Sequence, residues 1–296
     1  MTEFQTKLEP ILNSFSGVIG FYAKRLDDGF TLQHNQNEVF AAASVVKVPI
    51  LLEALRQVEH GILKLETRIS LSALEQAGGS GVLMAFQPGL TPMLQDYLTM
   101  MIVVSDNTAT NISLDAVGGR DAVNSSLKNW GCSSTTVVGK LMLTDDRKNA
   151  DQRAGKKAEV TPFENVMLLE KLYNGELLNP ELTKLALEIL EKQQYTEILA
   201  RYLPDGTRTA TKSGQIIGVR NDVGIVLTER PYVLALCSKN CTDERYHVDN
   251  EAVLALGKIS RLVFDAMDTK KGGDKSIDID LIQKSVPNTK KSPPAK

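Results

Sequence analysis

The sequence predicts a mixed α/β fold, in which an antiparallel five-stranded sheet is flanked by helices and joined to an all-helical lobe. Two observations carry this prediction. Patterns typical of strands occur near both ends of the chain, at residues 17–26, 30–33, 209–212, 222–227 and 232–238. Helical patterns fill the middle. Strands at both ends of a chain, around a helical insert, favour one sheet that both ends build together.

The first helix is expected at residues 2–15, where Phe4, Leu8 and Ile11 lie on one apolar stripe. The turn Asp27-Asp28-Gly29 then separates the first two strands. Further helices are expected at residues 45–60, 91–104, 108–117, 120–130, 162–173, 180–193 and 250–267. A ligand site would lie between the sheet and the helical lobe, because such junctions favour clefts.

We expect one catalytic unit over residues 1–267, with a sheet lobe from residues 1–43 and 200–267 and a helical lobe from residues 44–199. From residue 268 to 296 the chain is rich in Lys, Gly and Pro, which predicts a disordered tail. The 296 residues, 42% of them hydrophobic, suffice for a sizeable core.

The net charge of −2 does not indicate a nucleic-acid partner. No apolar run reaches the roughly 20 residues that span a bilayer, and the three His residues are too scattered for a metal site. No cofactor is expected, and nothing demands more than a monomer. Cys237 and Cys241 are close in sequence, but two reduced thiols are the favoured interpretation.

The N-terminus lacks the basic start and apolar block of a secretory signal. The location therefore stays open. It would be periplasmic or secreted if a signal peptide had been trimmed, and cytoplasmic if the chain is complete as given.

A candidate nucleophile lies in Ser44-Val45-Val46-Lys47. A Ser and a Lys three residues apart on a helix share one face. The Ser hydroxyl is a poor nucleophile until a base takes its proton, and a partly desolvated Lys can serve. This spacing alone is common in helices, so its meaning depends on partners elsewhere in the chain.

Two further motifs follow in order. In Ser105-Asp106-Asn107, Ser105 can pass a proton and Asn107 can hold a substrate amide and the catalytic Lys. Taken alone, this motif also has an ordinary structural explanation, because all three residue types are common helix N-caps. The third motif is Lys212-Ser213-Gly214, in which the Lys adds positive charge, the Ser can bind a carboxylate, and the Gly lets a substrate backbone lie against a strand.

Together these three motifs resemble those of the class A β-lactamase family and its penicillin-binding relatives. The resemblance extends from the first helix to about residue 267. It includes Gly79-Ser80-Gly81-Val82-Leu83 and the segment Gly218-Val219-Arg220-Asn221-Asp222. It implies a serine hydrolase that acts through an acyl-enzyme.

The resemblance also implies a role for each matched residue. Ser44 would be acylated, Lys47 would accept its proton, and Ser105 would relay a proton to the leaving nitrogen. Asn107 would position Lys47 and the substrate. The remaining implied roles are an electrostatic one for Lys212, carboxylate binding for Ser213 and Arg220, and an oxyanion hole from the backbone N–H groups of Ser44 and Gln215.

Hydrolysis of the acyl-enzyme requires a water-activating residue, which in the family is a Glu that acts with a nearby Asn. Counting back from Thr161-Pro162 without gaps places these roles on Asp145 and Asn149. Asp is shorter than Glu by one methylene, so its reach to a water is reduced. The rival candidates are Asp146, Asp151 and Glu159, and a fourth alternative is that no residue performs this step.

Four functions therefore remain at this point. The first, a β-lactamase that opens the β-lactam ring, is the favoured prediction, and the second is a penicillin-binding protein or D-Ala-D-Ala peptidase that releases penicillin slowly. The third is an esterase or amidase for a small acyl substrate, and the fourth is a non-catalytic binding domain. A binding domain would not need the complete Ser/Lys/Ser/Lys set. Fold alone does not decide among them.

Overall fold

The computed structural model describes residues 2–267 and 277–278. Within them the strands are β1 (Val18–Arg25), β2 (Thr31–His34), β3 (Phe40–Ala41), β4 (Glu159–Val160), β5 (Arg208–Ile216), β6 (Val219–Leu227), β7 (Tyr232–Lys239) and β8 (Ile277–Asp278). The α-helices are α1 (Glu3–Ser14), α2 (Lys47–Glu59), α3 (Leu94–Val103), α4 (Asn107–Ala116), α5 (Arg120–Asn129), α6 (Ala150–Arg153), α7 (Pro162–Tyr173), α8 (Pro180–Glu191) and α9 (Glu251–Met267).

The main sheet has the strand order β5-β6-β7-β1-β2-β8. Its first five strands pair antiparallel, which confirms the predicted five-stranded sheet, and β8 adds a short parallel pairing to β2. Apart from the two residues of β8, the predicted tail at 268–296 lies outside the described residues. The pair β3–β4 forms a separate two-stranded ribbon that the sequence did not predict.

Strand β5 is longer than predicted, because pairing continues through the third motif to Ile216. Gly214 lies directly opposite Asn221 in this ladder, so the glycine does not interrupt the strand. As β5 is the first strand in the sheet order, one of its edges is left for the cavity described below.

Two apolar layers cover the sheet. Helices α1 and α9 pack on one face, through residues such as Leu8, Leu256 and Ile259. The helical lobe packs on the other face around α2, whose Leu51, Leu52 and Leu55 are fully buried. A helix buried on nearly all sides is a core helix. Its N-terminal residue, Lys47, is the last residue of the first motif and is fully buried.

The cysteines Cys132, Cys237 and Cys241 are all free and buried, as the sequence analysis favoured. None of the helices that the structure describes has the length and apolar character to cross a membrane.

Candidate active site

Ser44 lies in a short 3₁₀ turn, Ala43–Val46, that leads directly into α2. The sequence predicted that the α-helix itself starts at residue 45. Three hydrogen bonds fix the segment just before Ser44: the Ala42 N–H donates to the Ala158 carbonyl at 2.7 Å, and the Asn221 side chain donates to the carbonyls of Ala41 and Ala42 at 2.8 and 3.1 Å. The ribbon and the main sheet therefore both hold the nucleophile's position.

The Lys47 side chain is fully buried and its three donor positions are all used. Its ammonium nitrogen donates to the Ser105 carbonyl at 2.7 Å, to Ser105 Oγ at 3.0 Å and to Asn107 Oδ1 at 2.9 Å. These contacts join the first and second motifs across 58 to 60 residues of chain. A base in this position can pass a proton to Ser105 along an existing hydrogen bond.

Burial lowers the pKa of Lys47 well below its usual value, and the nearby charge of Lys212 lowers it further. Burial also lowers the pKa of Lys212, to about 7, while the Asp222 carboxylate acts in the opposite direction. Two buried lysines that repel each other favour one neutral amine. The arrangement thus places an amine that favours the neutral state, Lys47, near a second amine whose pKa is about 7.

Asp106, the middle residue of the second motif, organises the backbone around this site. One of its oxygens accepts from the Ala109 N–H at 2.8 Å, as an N-cap of α4. The other accepts from the N–H groups of Val82 and Leu83 at 2.6 and 2.8 Å. Gly81 permits this approach, because a Cβ atom there would lie 2.2 Å from the Asp106 carboxylate. Asp106 consequently fixes the loop that brings Gly79 and Ser80 to the cavity.

Strand β5 approaches the nucleophile very closely. A Cβ atom added at Gly214 would lie 2.9 Å from the Ser44 backbone nitrogen and 3.0 Å from that of Val45. Only a glycine allows this distance. Ser213 and Gln215, on either side, also line the cavity. The backbone N–H groups of Ser44 and Gln215, expected to form an oxyanion hole, thus belong to adjacent segments.

A cavity of about 650 Å³ opens above these groups. Ser44, Ser105, Asn107, Ser213, Gly214 and Gln215 line it, so the structure brings these predicted residues together. Lys47 and Lys212 lie buried beneath. The other wall is formed by residues 138–142, 152 and 156–158, and it carries Lys140, Lys156 and Lys157. Among the described residues, no Asp or Glu lines this cavity.

Three residues that line the cavity have strained backbones. Ala43, Ser105 and Met142 have φ angles of 46°, 53° and 53°, in the left-handed region that non-glycine residues avoid. Such strain persists only where the surrounding contacts impose it, and it is frequent at active sites.

Arg220, expected to bind a substrate carboxylate, lies behind the cavity wall. Its guanidinium donates to the backbone carbonyls of Ile216, Val219 and Arg245, and it stacks on the Tyr246 ring at 4.9 Å. Of these two side chains, Tyr246 lines the cavity and Arg220 does not. In this geometry Arg220 supports Tyr246 and the end of β5 instead of contacting a ligand directly.

Asp145 does not reach the cavity either. Its side chain is 91% exposed and its carboxylate pairs with Lys148 at 2.6 Å, which lowers its pKa. Asn149 caps the short helix α6, and its amide donates to the Val138 carbonyl at 2.8 Å. The rivals Asp146, Asp151 and Glu159 do not line the cavity. The residue that the gapless count selected, Asp145, therefore lies on the outer side of the loop. This geometry does not support its expected water-activating role.

Several site residues were not singled out from the sequence. Asn221 and Asp106 act on the backbone and sit inside segments that were quoted for other reasons. Tyr195, Tyr246 and the three wall lysines reach the cavity from distant loops. Only the charge density of the loop at 145–159 was visible in the sequence, and it did not show which side chains face inward.

The site has the parts for acyl transfer to a serine: a nucleophile at a helix start, a buried amine that favours the neutral state, a hydroxyl relay, and a strand edge with a buried cation. Comparison with known proteins agrees. The sequence profile of the β-lactamase enzyme family matches residues 3–267. The chain belongs to this family.

Three known proteins that it resembles are distant in sequence. A β-lactamase of Moraxella catarrhalis, BRO-1, is 26% identical over 240 residues, covering 78% of this chain and 75% of the relative. A crystal structure of a β-lactamase from Sphaerobacter thermophilus is 30% identical, with a TM-score of 0.80 over 91% of this chain and 98% of the other. A mutant of PBP-A, solved as an acyl-enzyme complex with penicillin G, is 26% identical, with a TM-score of 0.78 over 90% of this chain and 96% of the other. The chain is thus a serine β-lactamase-like hydrolase.

Proposed function

We propose that this hydrolase opens β-lactam rings by acylation of Ser44, and that release of the acyl group is its slow step. The contacts of Lys47 carry the first half of the proposal. The buried amine bonds both Ser105 and Asn107 below a cavity that Ser44 lines.

In the first step, the Ser44 oxygen forms a bond to the lactam carbonyl carbon while Lys47 takes the hydroxyl proton. The carbonyl–nitrogen bond then breaks, and the leaving nitrogen receives a proton through Ser105. Backbone N–H groups aimed at the developing oxyanion would stabilise this step by roughly 2.7–4 kcal/mol per donor. The close approach of Gly214 to Ser44 supports such a hole.

In the second step, water must attack the ester at Ser44. General-base catalysis of such attack contributes about 10²–10⁴-fold. Within the part of the chain that the structure describes, no carboxylate lines the cavity. This supports slow hydrolysis and a long-lived acyl-enzyme.

The experiment is intact mass spectrometry after brief mixing with benzylpenicillin. We expect the mass to increase by that of the whole penicillin, since ring opening releases no fragment, and the Ser44→Ala variant to gain nothing. The time course of the adduct then reports release. Absence of both adduct and turnover in the unchanged protein would reject acylation, whereas rapid loss of the adduct with product formation would reject slow release.

The same absence of a cavity carboxylate favours a second candidate function, a D-Ala-D-Ala peptidase or penicillin-binding protein. A peptide ending in D-Ala-D-Ala tests this. Release of D-alanine that depends on Ser44 would support the peptidase, and no release would leave the β-lactam reaction as the proposal.

A further inference from the structure

The two walls of the cavity lie on opposite sides of the segment that carries the nucleophile. Ala42 has helical backbone angles, φ −63° and ψ −31°, so its N–H and C=O point in opposite directions. The N–H bonds Ala158, while the C=O accepts from Asn221 on the main sheet. A substrate that spans the cavity would therefore touch both the β5 wall and the loop wall.

The loop wall carries three lysines, but their charges are not equally available. Lys140 pairs with Asp115 and with Glu75. Lys156 pairs with Asp151 at 2.8 Å, and Asp151 also pairs with Arg120. Among the described residues, no carboxylate pairs with Lys157, which is exposed and lines the cavity.

The segment that contains Lys157 is also hydrogen-bonded to the segment that precedes Ser44. The β3–β4 register pairs Ala41 with Glu159, and the Ala42 N–H bonds Ala158. Lys157 directly precedes Ala158, so it adjoins the hydrogen bond that holds Ala42, two residues before Ser44. Among the described residues no acidic side chain lines the cavity, so the charge of Lys157 is not neutralised there.

We propose that the cavity selects acyl donors with a second negative charge, placed on the part of the molecule that lies against Lys157. The first negative charge is the ring carboxylate of a penicillin, which would bind at the β5 wall near Ser213 and Lys212. A cation in a partly enclosed cleft concentrates anions and speeds their encounter. This inference rests on the proposed acylation of Ser44 by β-lactams and adds the substrate class.

Three penicillins that differ only at one side-chain carbon test the proposal: benzylpenicillin, its α-carboxy derivative and its α-amino derivative. The measurement is the second-order rate constant of Ser44 acylation, at low and at high salt. We expect the carboxy compound to react about two- to five-fold faster than benzylpenicillin, as for one partly exposed ion pair, and the amino compound to react slowest. High salt should reduce the differences among the three rate constants, because it screens the charges.

Lys157→Gln should make the acylation rate constants of the three penicillins similar, and Lys157→Glu should reverse their order. The matched control is Lys64→Glu, which makes the same charge change at an exposed loop position outside the cavity and should leave the order unchanged. Equal rates for the three compounds, or an order that survives in Lys157→Glu, would overturn the charge preference alone. If no penicillin forms an adduct, the proposed function and this inference both fail.

Discussion

Gly214 on β5 faces the backbone nitrogen of Ser44 at a distance that leaves no room for a side chain: an added Cβ atom would lie 2.9 Å away. The strand edge and the nucleophile therefore behave as one unit. A side chain at residue 214 must shift either β5 or the turn Ala43–Val46, so that the two move apart.

The first prediction follows from this contact. Gly214→Ala should lower the acylation rate constant by about 10- to 100-fold, because a displacement near 1 Å misaligns the reacting groups. Stopped-flow or mass-spectrometric acylation by benzylpenicillin measures it. The control is Gly78→Ala, at a position where an added Cβ meets nothing within 4 Å. Equal rates for the two variants would contradict the prediction.

The second prediction concerns the Asn221 amide, which is fully buried and bonds the carbonyls of Ala41 and Ala42. Asn221→Ala removes the side-chain donor to the Ala41 and Ala42 carbonyls and the side-chain acceptor for the Ser238 N–H, and only the Ala42 carbonyl is known to keep another donor, the Val45 N–H. We expect the free energy of unfolding to fall by about 1–3 kcal/mol, as measured by urea denaturation. Asn174→Ala, at an exposed amide, should change it by about 0.5 kcal/mol or less. Similar losses in both variants would refute the role of Asn221.

The third prediction is a pH dependence. Lys47 acts as a base only when neutral, so acylation should rise with pH through its lowered pKa. Lys212 is cationic below its pKa of about 7 and loses its attraction for a carboxylate above it. The rate constant should therefore decline on the alkaline side of about 7.

A substitution tests the assignment of the alkaline decline. The Asp222 carboxylate raises the pKa of Lys212, so Asp222→Asn should move the decline to lower pH. The Asn oxygen can still accept the hydrogen bond that the Leu199 N–H donates to Asp222. An unmoved decline would assign it to another group.

The fourth prediction concerns Asp145, whose carboxylate is exposed and paired with Lys148. Asp145→Asn should leave the lifetime of the Ser44 adduct unchanged, whereas loss of a true general base costs about 10²–10⁴-fold. The adduct decay is followed by intact mass. A lifetime lengthened by such a factor would restore Asp145 as the water-activating residue.

The sequence predicted the antiparallel sheet, the helical lobe and several of the residues that line the cavity, because each depends on local patterns or short motifs. Ser44, Lys47, Ser105 and Asn107 do meet in the structure. The loop at 138–158 could not be predicted in the same way. Its side chains face inward or outward according to turns and caps such as Asn149, which depend on contacts with the rest of the fold.

Arg220 shows the same limit. Its place in a familiar segment suggested contact with a ligand, but its two terminal nitrogens donate to the carbonyls of Ile216, Val219 and Arg245. A motif gives the residue type and the approximate position. Which hydrogen-bond acceptors compete for the side chain depends on the tertiary structure.

The left-handed backbone at Ala43, Ser105 and Met142 has a consequence for protein engineering. The left-handed backbone costs a non-glycine residue roughly 1–2 kcal/mol of native-state stability, a cost that a glycine at Ala43 would avoid. A search for thermostable variants should therefore recover Ala43→Gly, and the stabilised protein should acylate more slowly because the turn that presents Ser44 has relaxed. A substitution at the cavity that raises thermal stability would then lower the acylation rate.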